Sequence, residues 1–157
     1  MMRRHDKAID RQEAETLLQN GEYGVLSTVD AQGQPYGVPL NYVFFEGAVF
    51  FHCALEGHKL QNIAQNDRVS FCVVGRTRVL PEQFNTQFES VILTGRALLC
   101  QGQERLRALV GLVEKYAPDH IEAGHAYIEK HDRKTAVVKI TIDTLTAKAK
   151  RGQKIGE

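Results

Sequence analysis

The side chains best suited to chemistry lie in residues 51–62. An apolar strand ends there at His52 and Cys53, and a predicted helix follows with His58 and Lys59 in its first turn. The first N–H groups of a helix lack intrahelical partners and carry partial positive charge, so a lysine and a histidine add donors for an anion. The pattern predicts a phosphate-binding corner. An exposed first turn with ordinary charges is the alternative.

The same residues do not form a metal or nucleophile signature. Because His52 and Cys53 are neighbours on a strand, their side chains point to opposite faces, which argues against a shared ion with His58. No base stands at a recognisable spacing from Cys53 to activate it as a nucleophile. We therefore predict no metal, and no residue of the sequence is identified as a catalytic acid or base.

Two further segments could contact a ligand. Pro39 lies inside a predicted strand, where it cannot donate to the ladder, and such a break frees neighbouring backbone groups. Asn41 could then offer hydrogen bonds to a heteroaromatic ring, with an irregular edge strand as the alternative. In a later apolar strand, Glu89, Ser90 and Arg96 are consistent with dimer contacts, ligand contacts or solvated ends.

The composition is that of one domain covering residues 1–157. A hydrophobic content of 43% allows a real core, and a net charge of +1 gives no reason to expect a nucleic-acid or membrane partner. No Gly-x-Gly-x-x-Gly pattern follows a strand, which argues against a Rossmann nicotinamide site. The widely spaced Cys53, Cys72 and Cys100 fit a reducing, cytoplasmic compartment. Basic runs at residues 1–4 and 148–151 are interpreted as solvated tails.

Strands dominate the predicted elements. A helix opens the chain, with Asp10 as its cap and Glu13 completing a capping box. Strands over 23–29, 36–45 and 48–53 are predicted to form an antiparallel meander, because their connections are short. The remaining elements are a helix over 57–66, a strand over 68–74, a loop over 75–88, a strand over 90–100 with a bulge or bend at Gly95, helices within 103–131 and a strand over 135–142. About six strands with inserted helices predict a small antiparallel barrel.

These segments together resemble a known family. The strings that carry the resemblance are EYGVLST (22–28), PYGVPLNY (35–42), FHCALEGHK (51–59), VSF (69–71) and ESV (89–91). The chain resembles the FMN-binding split-barrel superfamily, and within it the pyridoxamine-phosphate-oxidase-related proteins grouped with the Nim nitroimidazole-resistance proteins. The resemblance runs from about residue 2 to residue 150.

The resemblance implies a mainly β fold, a six-stranded antiparallel split barrel of the FMN-binding type with peripheral helices. It also implies a homodimer that holds FMN in the groove between the subunits, so that each site draws on both chains. The implied FMN contacts are Val38, Pro39, Leu40, Asn41 and Tyr42 at the flavin ring, His52 and Cys53 along the ribityl chain, His58 and Lys59 at the phosphate, and Glu89, Ser90 and Val91 completing the site across the dimer.

The implied function is that of a flavoprotein oxidoreductase. It would reduce a small acceptor such as a nitro-aromatic, with NAD(P)H as a transient donor, while the flavin performs the electron transfer. The alternatives are a non-catalytic carrier or sensor of FMN or haem, a structural dimer with an empty groove, and pyridoxamine phosphate oxidase activity. The chain lacks the arginine pattern of the true pyridoxamine phosphate oxidases, which argues against that last activity.

Overall fold

The computed structural model describes residues 5–152, in which seven strands form one sheet and four α-helices lie on its surface. The helices are α1 (Arg11–Asn20), α2 (His58–Gln65), α3 (Gly102–Tyr116) and α4 (Ile121–His131). The strands are β1 (Gly24–Val29), β2 (Pro35–Leu40), β3 (Val43–Phe45), β4 (Ala48–Ala54), β5 (Arg68–Leu80), β6 (Asn85–Leu99) and β7 (Thr135–Lys150). Helix α1 begins at the predicted cap, since the Asp10 carboxylate accepts the N–H of Glu13 at 2.8 Å, but the Glu13 carboxylate accepts from Arg151 instead of completing a capping box.

The order of the strands forces the sheet to curl. Hydrogen-bonded neighbours run β2-β1-β5-β6-β7-β4-β3, and every pair is antiparallel. Strands β2 and β3 therefore lie at opposite edges, although only Asn41 and Tyr42 separate them in sequence. Because such a link spans at most ~11 Å, the two edges must approach each other. The sheet curls into a split barrel whose seam, between β2 and β3, has no ladder.

The mainly antiparallel β fold with peripheral helices is confirmed, but two details of the prediction were wrong. The sheet has seven strands rather than six, and the first strands do not form a meander. The predicted strand over 36–45 breaks at Asn41 and Tyr42. Tyr42 is buried, and its N–H donates to the Tyr116 hydroxyl at 3.1 Å instead of to a neighbouring strand. The chain beyond the break therefore joins the opposite edge.

Residues 75–88 are not a loop. Strands β5 and β6 pair as far as Leu80 and Asn85, and the chain turns at Pro81–Gln83. Residues 148–150 belong to β7 and pair with the start of β6, so this basic run is not a solvated tail. Residues 148–150 gain their strand structure from a distant partner, whereas residues 75–88 pair with each other as a hairpin whose exposed residues do not alternate. The other basic run, residues 1–4, lies outside the described residues.

Two apolar clusters lie on opposite sides of β4. The larger one fills the barrel and includes Phe51 and Phe71, both fully buried. The smaller one lies beneath α3 and includes Phe50 and Ala108. Alternate residues of a strand point to opposite faces, which is why neighbouring phenylalanines of β4 enter different clusters.

Gly95 permits the bend of β6. The β6–β7 register shifts between Thr94 and Gly95, and a Cβ at position 95 would lie 1.9 Å from the backbone oxygen of Thr141. Because backbone cannot withdraw as a flexible side chain can, we predict that Gly95→Ala lowers the free energy of unfolding by about 3 kcal/mol. Urea unfolding measures this.

The matched control is Gly111→Ala on α3. A Cβ there would lie 3.4 Å from its nearest neighbour, Val43, so little has to move. Helix propensity then predicts a gain of up to ~1 kcal/mol in the free energy of unfolding. If the two substitutions changed the free energy of unfolding equally, the clash between a Cβ at position 95 and the Thr141 backbone would be contradicted.

Candidate functional site

Side chains of α3 hold the seam between β2 and β3. The Tyr116 hydroxyl accepts the N–H of Tyr42 at 3.1 Å and donates to the Glu22 carbonyl at 2.7 Å. The Asn41 amide nitrogen donates to the same carbonyl at 3.1 Å. The Lys115 ammonium donates to the Tyr42 carbonyl at 3.0 Å and lies 3.9 Å from the centre of the Tyr42 ring. The link between the two strands is therefore fixed from the α3 side.

The start of α2 is fixed against the sheet but remains uncapped. Gly57 precedes it with a φ of 145°, a region that only glycine enters readily, and no side chain caps the first turn. The ring of His58 packs on that of Tyr36, with centroids 4.3 Å apart. One turn later, the buried Asn62 amide donates to the Thr28 hydroxyl at 2.9 Å. The first N–H groups of a firmly held helix are thus available to an anion.

The charge of Lys59, in the first turn of α2, acts on two side chains at the end of β4. Burial lowers the pKa of His52, and the charge of Lys59 lowers it further. Burial raises the pKa of Cys53, and Lys59 acts in the opposite direction. At neutral pH the corner therefore has a neutral imidazole, a protonated thiol and one ammonium group. The structure places Lys59 within electrostatic reach of His52 and Cys53, and His58 precedes Lys59 in the first turn of α2.

The predicted ring contacts have different surroundings. Val38 and Leu40 are half-buried and pack against the main core, whereas Pro39 and Asn41 are exposed. Tyr42 is fully buried, so only its backbone could reach a ligand, and α3 already engages that backbone.

Glu89, Ser90 and Val91 lie at the other end of the barrel. Glu89 accepts a hydrogen bond from Arg151 at 2.8 Å, and the Val91 side chain is fully buried. Through its pairing with β7, His52 is level with the C-terminal end of β6, roughly 30 Å along that strand from Glu89. Within one protomer, the two parts of the predicted site do not meet.

The sequence did not single out Lys115 and Tyr116. Their helix was predicted from its apolar stripe, and the groups that they bind are backbone atoms of residues 73 to 94 positions earlier. No local pattern marks such a pair. Within residues 5–152, no three His, Cys, Asp or Glu side chains are grouped so as to hold a metal, and none of the helices is long and apolar enough to cross a membrane.

A curled antiparallel sheet with an unpaired seam and peripheral helices defines the split-barrel class, and solved structures share this fold. A candidate 5-nitroimidazole antibiotic resistance protein from Bacteroides thetaiotaomicron superimposes with a TM-score of 0.74 at 21% identity, over 90% of this chain and 86% of that one. A conserved hypothetical protein from Mycobacterium tuberculosis superimposes with a TM-score of 0.82 at 18% identity, over 100% of this chain and 98% of that one. An FAD and haem binding protein from Mycobacterium smegmatis superimposes with a TM-score of 0.78 at 17% identity, over 93% of this chain and 74% of that one.

The chain belongs to the pyridoxamine 5'-phosphate oxidase family, whose model matches residues 10–149. No curated protein matches the sequence. Since the structural relatives share so little sequence with the chain, their likeness shows the fold alone.

Lys115 should make stability depend on pH. Burial lowers its pKa from the usual 10.5 to about 8, so between these values the unfolded chain binds more protons than the folded one. The contribution of Lys115 to stability therefore rises as the pH rises through this window. We predict that the free energy of unfolding of the wild type, relative to Lys115→Met, increases on the order of 1 kcal/mol between pH 7.5 and 9.5, since water still screens part of the side chain.

Comparison with Lys115→Met cancels the contributions that other titrating groups make to the pH dependence of the free energy of unfolding. The thiols of Cys53, Cys72 and Cys100 have raised pKa values, and burial also raises the pKa of Tyr42, so these groups contribute the opposite slope in both proteins. Denaturant unfolding across the pH range gives the difference. A difference that is constant with pH would show that Lys115 is not desolvated.

Proposed function

We propose that this protein binds FMN at the interface of a homodimer and uses it to reduce a small acceptor, such as a nitro-aromatic, with NAD(P)H as a transient donor. The observation that carries the proposal is the corner where Lys59, at the uncapped start of α2, lies within electrostatic reach of His52 and Cys53. The family of the chain and its likeness to a candidate nitroimidazole resistance protein support it. The three free cysteines support a reducing, cytoplasmic setting.

The residues of the corner have distinct tasks in this proposal. Lys59 and His58, together with the first N–H groups of α2, would hold the phosphate, because an ammonium group, an imidazole and a helix N-terminus all favour an anion. Pro39 and Asn41 are exposed at the end of β2, where they would border the ring. His52 is neutral at pH 7 and would offer a hydrogen bond without an added charge.

The chain itself would bind and orient rather than transfer electrons. When bound, FMN supplies the electron transfer. Reduction of a nitro group to a nitroso group consumes one NAD(P)H and one proton and releases one water, and it requires no catalytic acid or base from the chain.

Lys59 provides the test of the phosphate assignment. We predict that Lys59→Ala raises the Kd for FMN by about 10- to 100-fold, the usual cost of losing a hydrogen bond to a charged group. Riboflavin lacks the phosphate and should bind to both proteins equally. Flavin fluorescence titration measures both affinities, and Lys130→Ala, an exposed lysine of α4, is the control for loss of a positive charge.

The same substitution also tests the geometry without any flavin. Removal of Lys59 should raise the pKa of His52, which proton NMR measures. A protein that binds neither flavin contradicts the proposed function. Equal loss of FMN and riboflavin affinity contradicts the phosphate role of Lys59.

The dimer is proposed from the outer face of the sheet. Neighbouring strands align Val25, Cys72, Ile92 and Thr146 in one row across four strands, all on the side away from the barrel interior. Ile92 in the middle of this row is 47% exposed. A second protomer that covers the row would remove it from water and bring the Glu89 end of one chain towards the Lys59 corner of the other.

Ile92→Arg tests the dimer. We predict that the wild type sediments with twice the 17.6 kDa mass of the chain and that Ile92→Arg sediments as a monomer, because a guanidinium buried at an interface has no partner there. Leu106→Arg, on an exposed position of α3, is the control and should remain a dimer. A monomeric wild type, or a dimeric Ile92→Arg protein, contradicts this arrangement.

A non-catalytic carrier of FMN or haem is the second candidate. The observation that favours it is the imidazole of His52 at the end of β4, since histidine is a common haem ligand, and a structural relative is an FAD and haem binding protein. Steady-state assays with NADH or NADPH and an absorption spectrum for bound haem distinguish the two functions.

A further inference from the structure

A cavity of about 310 Å³ lies beside the proposed flavin corner. Its floor is formed by Asn41 at the seam and by His52 at the end of β4, and its walls by the last turns of α3 and the second half of α4. His52 also lies within electrostatic reach of Lys59. One residue therefore borders both the cavity and the corner assigned to FMN.

The lining of the cavity favours an uncharged ligand. Leu109, Leu112 and Val113 of α3 form an apolar wall opposite Ile128 of α4, and no Asp, Glu, Lys or Arg of the described residues lines the space. The burial that lowers the pKa of His52 keeps this residue neutral as well. A charged ligand would lose its hydration without gaining a partner of opposite charge.

The size and the aromatic lining favour a planar molecule. An apolar cavity of ~150 Å³ is enough for benzene, so about 310 Å³ accommodates one or two rings. Tyr127 and His131 stack with ring centroids 3.9 Å apart, and both line the cavity. Stacked side chains of this kind present an aromatic surface to a ligand ring.

Polar atoms at defined positions could orient such a ring. The Nδ1 atom of His131 lies 2.9 Å from the Tyr127 carbonyl, which can only accept, so Nδ1 is the donor of this hydrogen bond. The Asn41 amide nitrogen donates to Glu22, which leaves its carbonyl oxygen as an acceptor. His52 adds a ring nitrogen on the same floor.

We propose that this cavity binds an uncharged, planar aromatic molecule of one or two rings, and that this molecule is the electron acceptor of the enzyme. The second clause rests on the proposed function, whereas binding itself does not depend on the flavin. The cavity thereby sets substrate specificity: it admits neutral rings and rejects their carboxylated analogues.

The test compares two probes on the purified full chain, first as isolated and then after loading with FMN. Nitrobenzene is the neutral probe, and 4-nitrobenzoate has the same ring and nitro group with one negative charge. We expect nitrobenzene to shift the methyl NMR signals of Leu112 and Val113 in both preparations. We expect 4-nitrobenzoate to bind roughly tenfold or more weakly, because its carboxylate must be desolvated.

Ala117→Phe fills the cavity from the end of α3, and Ala123→Phe on the exposed part of α4, outside the lining, is the matched control. The first variant should abolish nitrobenzene binding and the second should retain it. Tyr127→Ala removes the aromatic wall at a largely exposed position, so folding is preserved should Ala117→Phe fail to fold. It should weaken binding severalfold.

Two results overturn the proposal: nitrobenzene binding that both Ala117→Phe and Tyr127→Ala leave intact, or equal affinity for the neutral and the charged probe. Neither result depends on FMN. A chain that binds nitrobenzene but no flavin would overturn the proposed function, and with it the role of the ligand as electron acceptor, while the cavity would stand as a binding site.

Discussion

The two-residue link between β2 and β3 is the constraint on which the rest of the structure depends. It joins strands at opposite edges of a seven-stranded sheet, so the sheet must curl until its edges meet. The Tyr42 side chain is fully buried on the interior side of this seam. Its ring packs edge-on against Phe71 with centroids 5.0 Å apart, and its hydroxyl donates to the Leu18 carbonyl at 2.6 Å. Since its backbone is bound by Tyr116, one buried residue connects α1, the barrel interior and α3.

The filled interior of the barrel also determines where ligands can bind. Phe71, Leu93 and Ile140 are fully buried and fill the barrel, so no flavin fits inside it. Ligands must therefore bind outside the barrel interior. At the end of β4, Cys53 continues the face of Phe51 and packs against the barrel cluster, while His52 continues the face of Phe50 towards α3. His52 is therefore the residue of this strand end that borders the α3–α4 cavity.

The sequence predicted well those features that neighbouring residues decide. The Asp10 cap and the α2 start lie within short segments whose residues interact locally. The meander prediction was wrong because the partner of Tyr42 is Tyr116, which lies far along the chain. The long hairpin was missed for a different reason: its strands pair locally, but beyond Val74 its residues leave the core and lose the alternation that reveals a strand.

The separation of the predicted site residues has a physical consequence for assembly. Lys59 and Glu89 lie near opposite ends of the barrel, and no rearrangement short of breaking the β6–β7 ladder would bring them together in one chain. The apolar row on the outer face, by contrast, can be buried only by another surface of similar shape. In the proposed dimer, a two-fold axis perpendicular to the strands of that row would meet both requirements with one contact, because such an axis places the end of each barrel against the opposite end of its partner. If the chain binds FMN with both sets of residues, the site and the dimer must form together, and flavin affinity should then depend on protein concentration below the dissociation constant of the dimer.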